Sequence, residues 1–468
     1  MARGKKKESA LTPEEKLERA LVPESEWPYK VPENWCWTKA GNMAAIHRGV
    51  SYKKGDAHAE KGENDCLVMR GGNILEGEID TEADNVYVDK SLVSEEQLVK
   101  KHDIVIVSST GSTKVIGRAG VSKSDYDDVA FGAFLTLLRP IDCVSKPFIG
   151  YFFQSDLYRE RIRSLASGVN INNIRAEYIT ESPMPLPPLA EQQRIVNRIE
   201  YLFAKLDEAK EKAQSVLDSF ETRKAAILHK AFTGELTAKW RAENGMGMDS
   251  WKPTTAQNLF SYVTSGSRGW AQYYADSGAV FLRMGNLDHG TIELDLSDLQ
   301  FVHLPDKAEG QRSLVQKNDI LISITADVGM IGFVRNIDFE AYINQHVALA
   351  RPANTESAEF IAWYLVSDVG LQQFRSKQRG ATKIGLGLND IRTLSLSMPT
   401  LGEQKEIVRI LDSLFAKEQQ AKEAAEAVLE KIDLLKKSIL ARAFRDELGT
   451  NDPTEESAVE LLKGLFQA

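Results

Sequence analysis

Residues 189–211 read LAEQQRIVNRIEYLFAKLDEAKE, and 212 positions later residues 401–423 read LGEQKEIVRILDSLFAKEQQAKE. Downstream, KAAILHKAFTGEL (Lys224 to Leu236) matches KKSILARAFRDEL (Lys436 to Leu448) at the same offset of 212. Loops absorb insertions at small cost. A helix does not, because each added residue turns every later side chain by about 100°. The constant offset therefore marks two rods of fixed length. Apolar positions in the first rod step by four and three through Ile195, Ile199, Leu202, Leu206, Ala209, Ala213, Val216 and Phe220. The second repeats the pattern through Ile407, Leu411, Leu414, Ala421, Ala425, Val428 and Ile432, with Glu418 as the one polar interruption. A sustained 3.5-residue period is the coiled-coil signature, and each rod would span roughly 70 Å. Connectivity favours pairing of the two rods within one chain as an antiparallel coiled coil.

Outward from the rods, the chain reads as two further copies of another pattern. Residues 31–188 carry short β-rich runs broken by glycine and polar clusters. Strands are predicted over Asp103–Ser108 and over Ala133–Leu138, the latter stopped by Arg139-Pro140, and a helix over Lys146–Leu165. Residues 246–400 replay this order, with strands at Asn318–Ser323 and His346–Pro352 and a helix at Phe360–Phe374. Arg70-Gly71-Gly72-Asn73 has its counterpart in Arg283-Met284-Gly285-Asn286. The predicted fold is α+β, an internal repeat with pseudo-twofold symmetry. A charged arm (1–30) precedes module one (31–188), the first spacer helix and linker (189–245), module two (246–400), the second spacer helix (401–448) and a tail (449–468). The arm holds a capping-box start at Thr12-Pro13-Glu14-Glu15 for a helix ending near Leu21. The tail's Val459, Leu462, Leu465 and Phe466 suggest a short amphipathic helix docking on the first rod or on a partner.

Bulk properties narrow the function class. The 58 Lys and Arg against 67 Asp and Glu leave a net charge of −9, unlike a simple DNA-coating protein, although acidic helices could carry that excess. No apolar run reaches the ~18–20 residues of a membrane span, and the basic start MARGKKKESA leads into no apolar leader, so a cytoplasmic location is expected. Three scattered cysteines suit neither a zinc site nor a disulfide frame. No phosphate-binding glycine loop, HExxH or GxSxG is present, and no Asn/Asp-Pro-Pro-aromatic tetrad of the amino-methyltransferase type. A non-catalytic chain without cofactor or metal is expected.

The remaining polar clusters suit nucleic-acid contact, since small hydroxyls and amides meet phosphates and longer polar side chains read base edges. Module one offers Arg48, Tyr52, Lys53, Lys54 and Arg70, and the loop Ser109, Thr110, Ser112, Thr113 and Lys114. Module two offers Arg268, Arg283, Asn286 and Thr325, the strand entry Asn344, Gln345 and His346, and the cluster Arg379, Thr382 and Lys383.

The whole layout resembles the specificity subunit of type I restriction–modification systems. LPPLAEQQRIV (186–196), MPTLGEQKEIV (398–408), AFTGELTAKWRAEN (231–244), AYINQHVALARP (341–352) and ILARAFRDEL (439–448) carry the resemblance. It implies two target-recognition modules, each reading half of an asymmetric bipartite DNA target. The helices would set the spacer and dock two copies of a methyltransferase subunit that binds S-adenosylmethionine, and a restriction and translocase subunit would complete the complex. One departure is clear: module one has Phe131-Gly132-Ala133 near the place of Asn344-Gln345-His346. The competing readings are a scaffold of two protein-binding modules on a coiled coil, with no DNA, and a self-sufficient methyltransferase.

Overall fold

The computed structural model describes residues 11–166, 173–266, 268–304, 311–378 and 385–467. Two compact units emerge. One takes in the chain up to Glu211 together with everything from Val428 onward, and the other runs Lys212–Ala427. The units cut across the serial order of modules and rods, so each owns one β-rich module and a share of both long helices.

In the first unit a five-stranded sheet runs in the order Ala44–Arg48, Leu135–Pro140, Ile104–Val107, Ala119–Val121, Gly77–Glu78. A three-stranded sheet places Asp65–Met69 between Tyr87–Asp89 and Val129–Phe131, the last pair parallel with Leu67 opposite Val129. In the second unit the order is Phe260–Ser265, Val347–Pro352, Ile320–Ser323, Ile331–Phe333. Its companion sheet sets Ala279–Leu282 parallel to Ala341–Ile343, with Val280 opposite Ala341. Both central strands, Ile104–Val107 and Ile320–Ser323, are buried throughout, which is why they read as unbroken apolar runs and not as alternating ones.

Some sequence expectations shift. The strand expected to stop at Arg139-Pro140 runs through Pro140, because Arg139 folds its guanidinium onto buried Asp103 in a bidentate pair (2.9 and 2.7 Å). Arg351 does the same to Asp319 at 2.7 and 2.8 Å. The single helices expected over 146–165 and 360–374 are each two. Ser155 separates Lys146–Gln154 from Asp156–Ala166, and Ser367 separates Ala358–Val366 from Asp368–Lys377. In both breaks the serine Oγ donates to the carbonyl three residues back, at 2.6 Å, offering the backbone an alternative to the next helical turn.

The first rod is also divided. It runs Leu189–Asp218 and Phe220–Phe232, with Ser219 donating its Oγ to the Ser215 carbonyl at 2.5 Å. The second rod, with Lys431 at that place, is one helix, Leu401–Ala443. Ile195, Ile199, Ala213, Ile407, Leu411, Ala425 and Ile432 are buried. Leu202, Leu206, Ala209, Val216, Phe220 and Leu414 are half-buried, whereas Ala421 and Val428 are exposed. A straight helix of 3.6 residues per turn drifts off a 3.5-residue seam, which moves those two positions outward. Glu418, the interruption in the second heptad, is answered across the pair by Arg223 at 2.8 Å. In the first unit Lys436 meets Asp207 at 2.6 Å and lies over the Phe203 ring.

The phenylalanine that ends each rod explains why the motif Ala-Phe recurs there. Phe444 packs on Phe148 and Phe152 in the first unit, with centroids 5.3 and 5.8 Å apart. Phe232 packs on Phe360 and Tyr364 in the second, at 5.4 and 5.2 Å. The tail helix, Ala458–Gln467, buries Ala458 and Leu462 in the cluster that also holds Ile195 and Ile199, and its helical neighbour is the arm helix, Pro13–Ala20. Arg194 fixes it by a bidentate pair to Glu455 (2.8 Å each), and the arm helix is Pro13–Ala20 with the expected capping box.

A buried glutamate begins each rod, and the two are held differently. Glu403 accepts from Trp251 Nε1 (3.1 Å), Thr237 Oγ1 (2.7 Å) and Arg241 Nη1 (2.5 Å). Glu191 accepts from Trp35 Nε1 (2.8 Å) and Thr450 Oγ1 (3.3 Å), while Arg194 is turned to Glu455. Burial, reinforced by the Asp446 carboxylate, pushes Glu191 up to about 7 against those two hydrogen bonds. A carboxyl that holds its proton more tightly folded than unfolded contributes stability in full below its unfolded value near 4.5, and loses it as pH rises through about 7. Glu191→Gln is therefore expected to raise the melting temperature more at pH 8 than at pH 5, with at most about 3 kcal/mol at stake. Equal shifts at both pH values would show that Glu191 does not titrate in this window.

Candidate nucleic-acid interface

In each module one corner collects the loops that sequence singled out. In module one it is Gly132-Ala133-Phe134, between the strands Val129–Phe131 and Leu135–Pro140. Gly132 N donates to the Met69 carbonyl, Leu135 N to the Gly132 carbonyl, and both Ser108 N and Ser109 N to the Phe134 carbonyl (3.1 and 3.0 Å). Ala133 N reaches back to the Val50 carbonyl at 3.1 Å. The approach is so close that a Cβ on Gly49 would lie 2.1 Å from the Gly132 carbonyl oxygen. In module two the corner is Asn344-Gln345-His346. Asn344 N donates to the Leu282 carbonyl, Val347 N to the Asn344 carbonyl, and Ile324 N to the His346 carbonyl. A Cβ on Gly266 would lie 2.0 Å from the Ile343 carbonyl oxygen. The two corners share one backbone design.

The counterpart of Asn344-Gln345-His346 is therefore Gly132-Ala133-Phe134, one residue beyond the Phe131-Gly132-Ala133 expected from sequence. Phe134, opposite His346, shares no polar chemistry with it, so likeness of side chains does not pair the two positions. Arg139-Pro140 and Arg351-Pro352, which close the two following strands at a separation of 212, already pointed to it.

Around the module-one corner, Arg48, Lys53 and Lys54 are exposed, and Tyr52 is half-buried against the Val50, Val68 and Val88 cluster. Ser112, Thr113 and Lys114 are exposed, and Ser109 and Thr110 half-buried. Their loop is shaped from below by the buried Arg159, which donates to the carbonyls of Lys114 (3.1 Å) and Ile116 (2.9 Å). Burial lowers that guanidinium's affinity for its proton, a cost its carbonyl partners offset. In module two Arg268 is exposed. His346 is engaged at both ring nitrogens, by Thr325 Oγ1 at Nδ1 (2.6 Å) and by Gln345 Nε2 at Nε2 (2.9 Å). With the Gln345 amide as donor, Nε2 accepts and Nδ1 is left to donate to Thr325.

Other candidates are engaged within their own module. Asn286 is buried, accepting from Arg283 N (2.8 Å) and donating to the carbonyls of Asp295 and Asp298. Asn73 does the same work in module one. Arg70 and Arg283 are each paired with a following aspartate, Asp84 and Asp298. Asn344 is buried, its Oδ1 accepting from His346 N at 3.0 Å. These residues hold turns, and their recurrence in both modules reflects that shared need. Arg379, Thr382 and Lys383 lie outside the described residues. Among the described residues no group of His, Cys, Asp and Glu side chains is placed to hold a metal ion, and no helix is long and apolar enough to cross a membrane.

The type I restriction modification DNA specificity domain matches residues 32–217 and 278–431. The chain is 30% identical over 432 residues to the type I restriction enzyme EcoKI specificity subunit of Escherichia coli K12, covering 90% of each. It is 29% identical over 426 residues to the StySPI specificity subunit of Salmonella potsdam, again covering 90% of each. The fold is similar to that of the HsdS subunit from Thermoanaerobacter tengcongensis, with TM-score 0.61 and 18% identity over 90% of this chain and 100% of that one. A chain from a structural study of complex assembly and conformational transition of the type I restriction–modification system gives TM-score 0.65 at 18% identity, with the same coverage. Two matching domains, coverage of nine-tenths and a shared α+β fold place this chain in the family of type I restriction–modification DNA specificity subunits.

Proposed function

We propose that residues 31–188 and 246–400 each read one half of an asymmetric, bipartite DNA target. The observation that carries this reading is the corner built twice on one backbone design with different side chains, Gly132-Ala133-Phe134 and Asn344-Gln345-His346. A binding module that had to hold one partner twice would keep its contact residues, whereas two readers of different words must differ there. The two long helices pair antiparallel and set the interval between the half-targets. Arg223 with Glu418 and Lys436 with Asp207 support that register. Two copies of a methyltransferase subunit dock on this frame, hold S-adenosylmethionine and methylate adenine, which they extrude from the duplex. A restriction and translocase subunit completes the assembly. The chain itself recognises and does not catalyse.

Methylome sequencing of cells with and without the gene tests this. An interrupted, non-palindromic adenine-methylation motif is expected to vanish on deletion, and a motif that persists unchanged removes the proposal. Failure of the chain to bind S-adenosylmethionine in calorimetry without partners is expected, and binding would favour a self-sufficient methyltransferase. For the basic loop, Lys114→Ala in the assembled complex is expected to weaken binding to all sequences alike. The slope of log K against log salt should fall by about one counterion's worth. An unchanged slope returns Lys114 to ordinary surface.

A further inference from the structure

Phe134 is 68% exposed, more than any other large hydrophobic side chain among the described residues. It does not sit on a loose loop. Its carbonyl accepts from Ser108 N, Ser109 N and Ser108 Oγ, at 3.1, 3.0 and 3.0 Å, so the ring is held out from a fixed corner. The exposed Ser112, Thr113 and Lys114 follow Ser109 on the adjoining loop. In module two the same backbone position carries His346, a ring with hydrogen-bonding nitrogens. Those nitrogens are engaged by Thr325 and Gln345 within the module and the ring is half-buried, whereas Phe134 presents a bare hydrocarbon face, which suits a surface that carries apolar groups. Phosphates are anionic at every step of a duplex, so they do not fit that description. Base edges in the major groove do, because they present donors, acceptors and, on thymine alone, a methyl group. A phenyl ring has neither donor nor acceptor, and the thymine C5-methyl is the major-groove group it can recognise.

We propose that Phe134 reads a thymine methyl in the half-target bound by module one. This rests on the modules being DNA readers, and the test separates the two ideas. The full chain, assembled with its methyltransferase partner, is titrated with the native target, with a scrambled duplex, and with duplexes in which each thymine of the first half-target is replaced singly by uracil. Uracil removes only the methyl group and keeps base pairing. One position is expected to lose about fourfold in affinity, the worth of one buried methyl. Phe134→Ala should bind the thymine and uracil duplexes equally while keeping its full sensitivity to changes in the second half-target. Phe134→Leu, which keeps a hydrocarbon contact, should retain the uracil penalty. A flat uracil series in the native chain, a first half-target without thymine, or a penalty that survives in Phe134→Ala overturns the assignment of Phe134. Equal binding of native and scrambled duplexes by the native complex would instead sink the DNA-reading proposal itself.

Discussion

Arg241→Ala is expected to destabilise the second unit by about 3–5 kcal/mol. Arg241 and Glu403 are 7% and 0% exposed, and the guanidinium lies 2.5 Å from a carboxylate that also accepts from Thr237 and Trp251. Removing the cation leaves a buried anion with two neutral donors, which cannot replace a charge partner in a medium of low polarity. The effect should appear in chemical unfolding of the full chain as a lower midpoint for the second unit. Arg241→Met with Glu403→Leu should recover part of the loss but not all, because Thr237 and Trp251 then lack their acceptor. Stability within about 0.5 kcal/mol of the native chain for Arg241→Ala would show that the pair does not hold the unit together. Arg194 and Glu455, by contrast, are 39% and 21% exposed, so water screens that pair and Arg194→Ala should cost less than about 1 kcal/mol.

Four residues inserted after Ala213 are expected to change the interval between the half-targets or to abolish binding, with each half-target's sequence preference intact. Four helical residues add about 6 Å and overshoot a full turn by about 40°. The insertion lies far in sequence from the two corners, at Phe134 and at His346. It lies instead in the first rod, between Asp207, which meets Lys436, and Arg223, which meets Glu418. Methylome sequencing of cells carrying the inserted form reads interval and half-targets together. Altered bases within either half-target would refute the role of the helices as a spacing gauge.

Much of this was legible in sequence because it depends on neighbours along the chain. The rods showed in the period of their apolar residues, the central strands in their β-branched runs, and the arm helix in its capping box. The breaks at Ser155, Ser219 and Ser367 were less visible, since a serine inside an apolar helical pattern is compatible with a continuous helix until its hydroxyl turns to the backbone. The site was harder to read. Asn286 looked like a contact, yet it and its counterpart Asn73 each lock a turn. If the modules read different half-targets, what they share is scaffold and what distinguishes them must differ. For that reason Phe134, which has no like residue in module two, is not singled out by comparing the two modules.

Sequence alone determined that this chain has two rods of equal length alternating with two β-rich modules, because periodicity and constant spacing follow from backbone geometry. Only the tertiary structure decided which polar residues face outward and which are consumed inside. Glu403 finds Arg241 at a separation of 162 residues, and Glu418 finds Arg223 at 195. Asn286 disappears into its own turn while Phe134 stands out from a corner fixed by Ser108 and Ser109. Such pairings depend on distances through space, and no local pattern of residues encodes them.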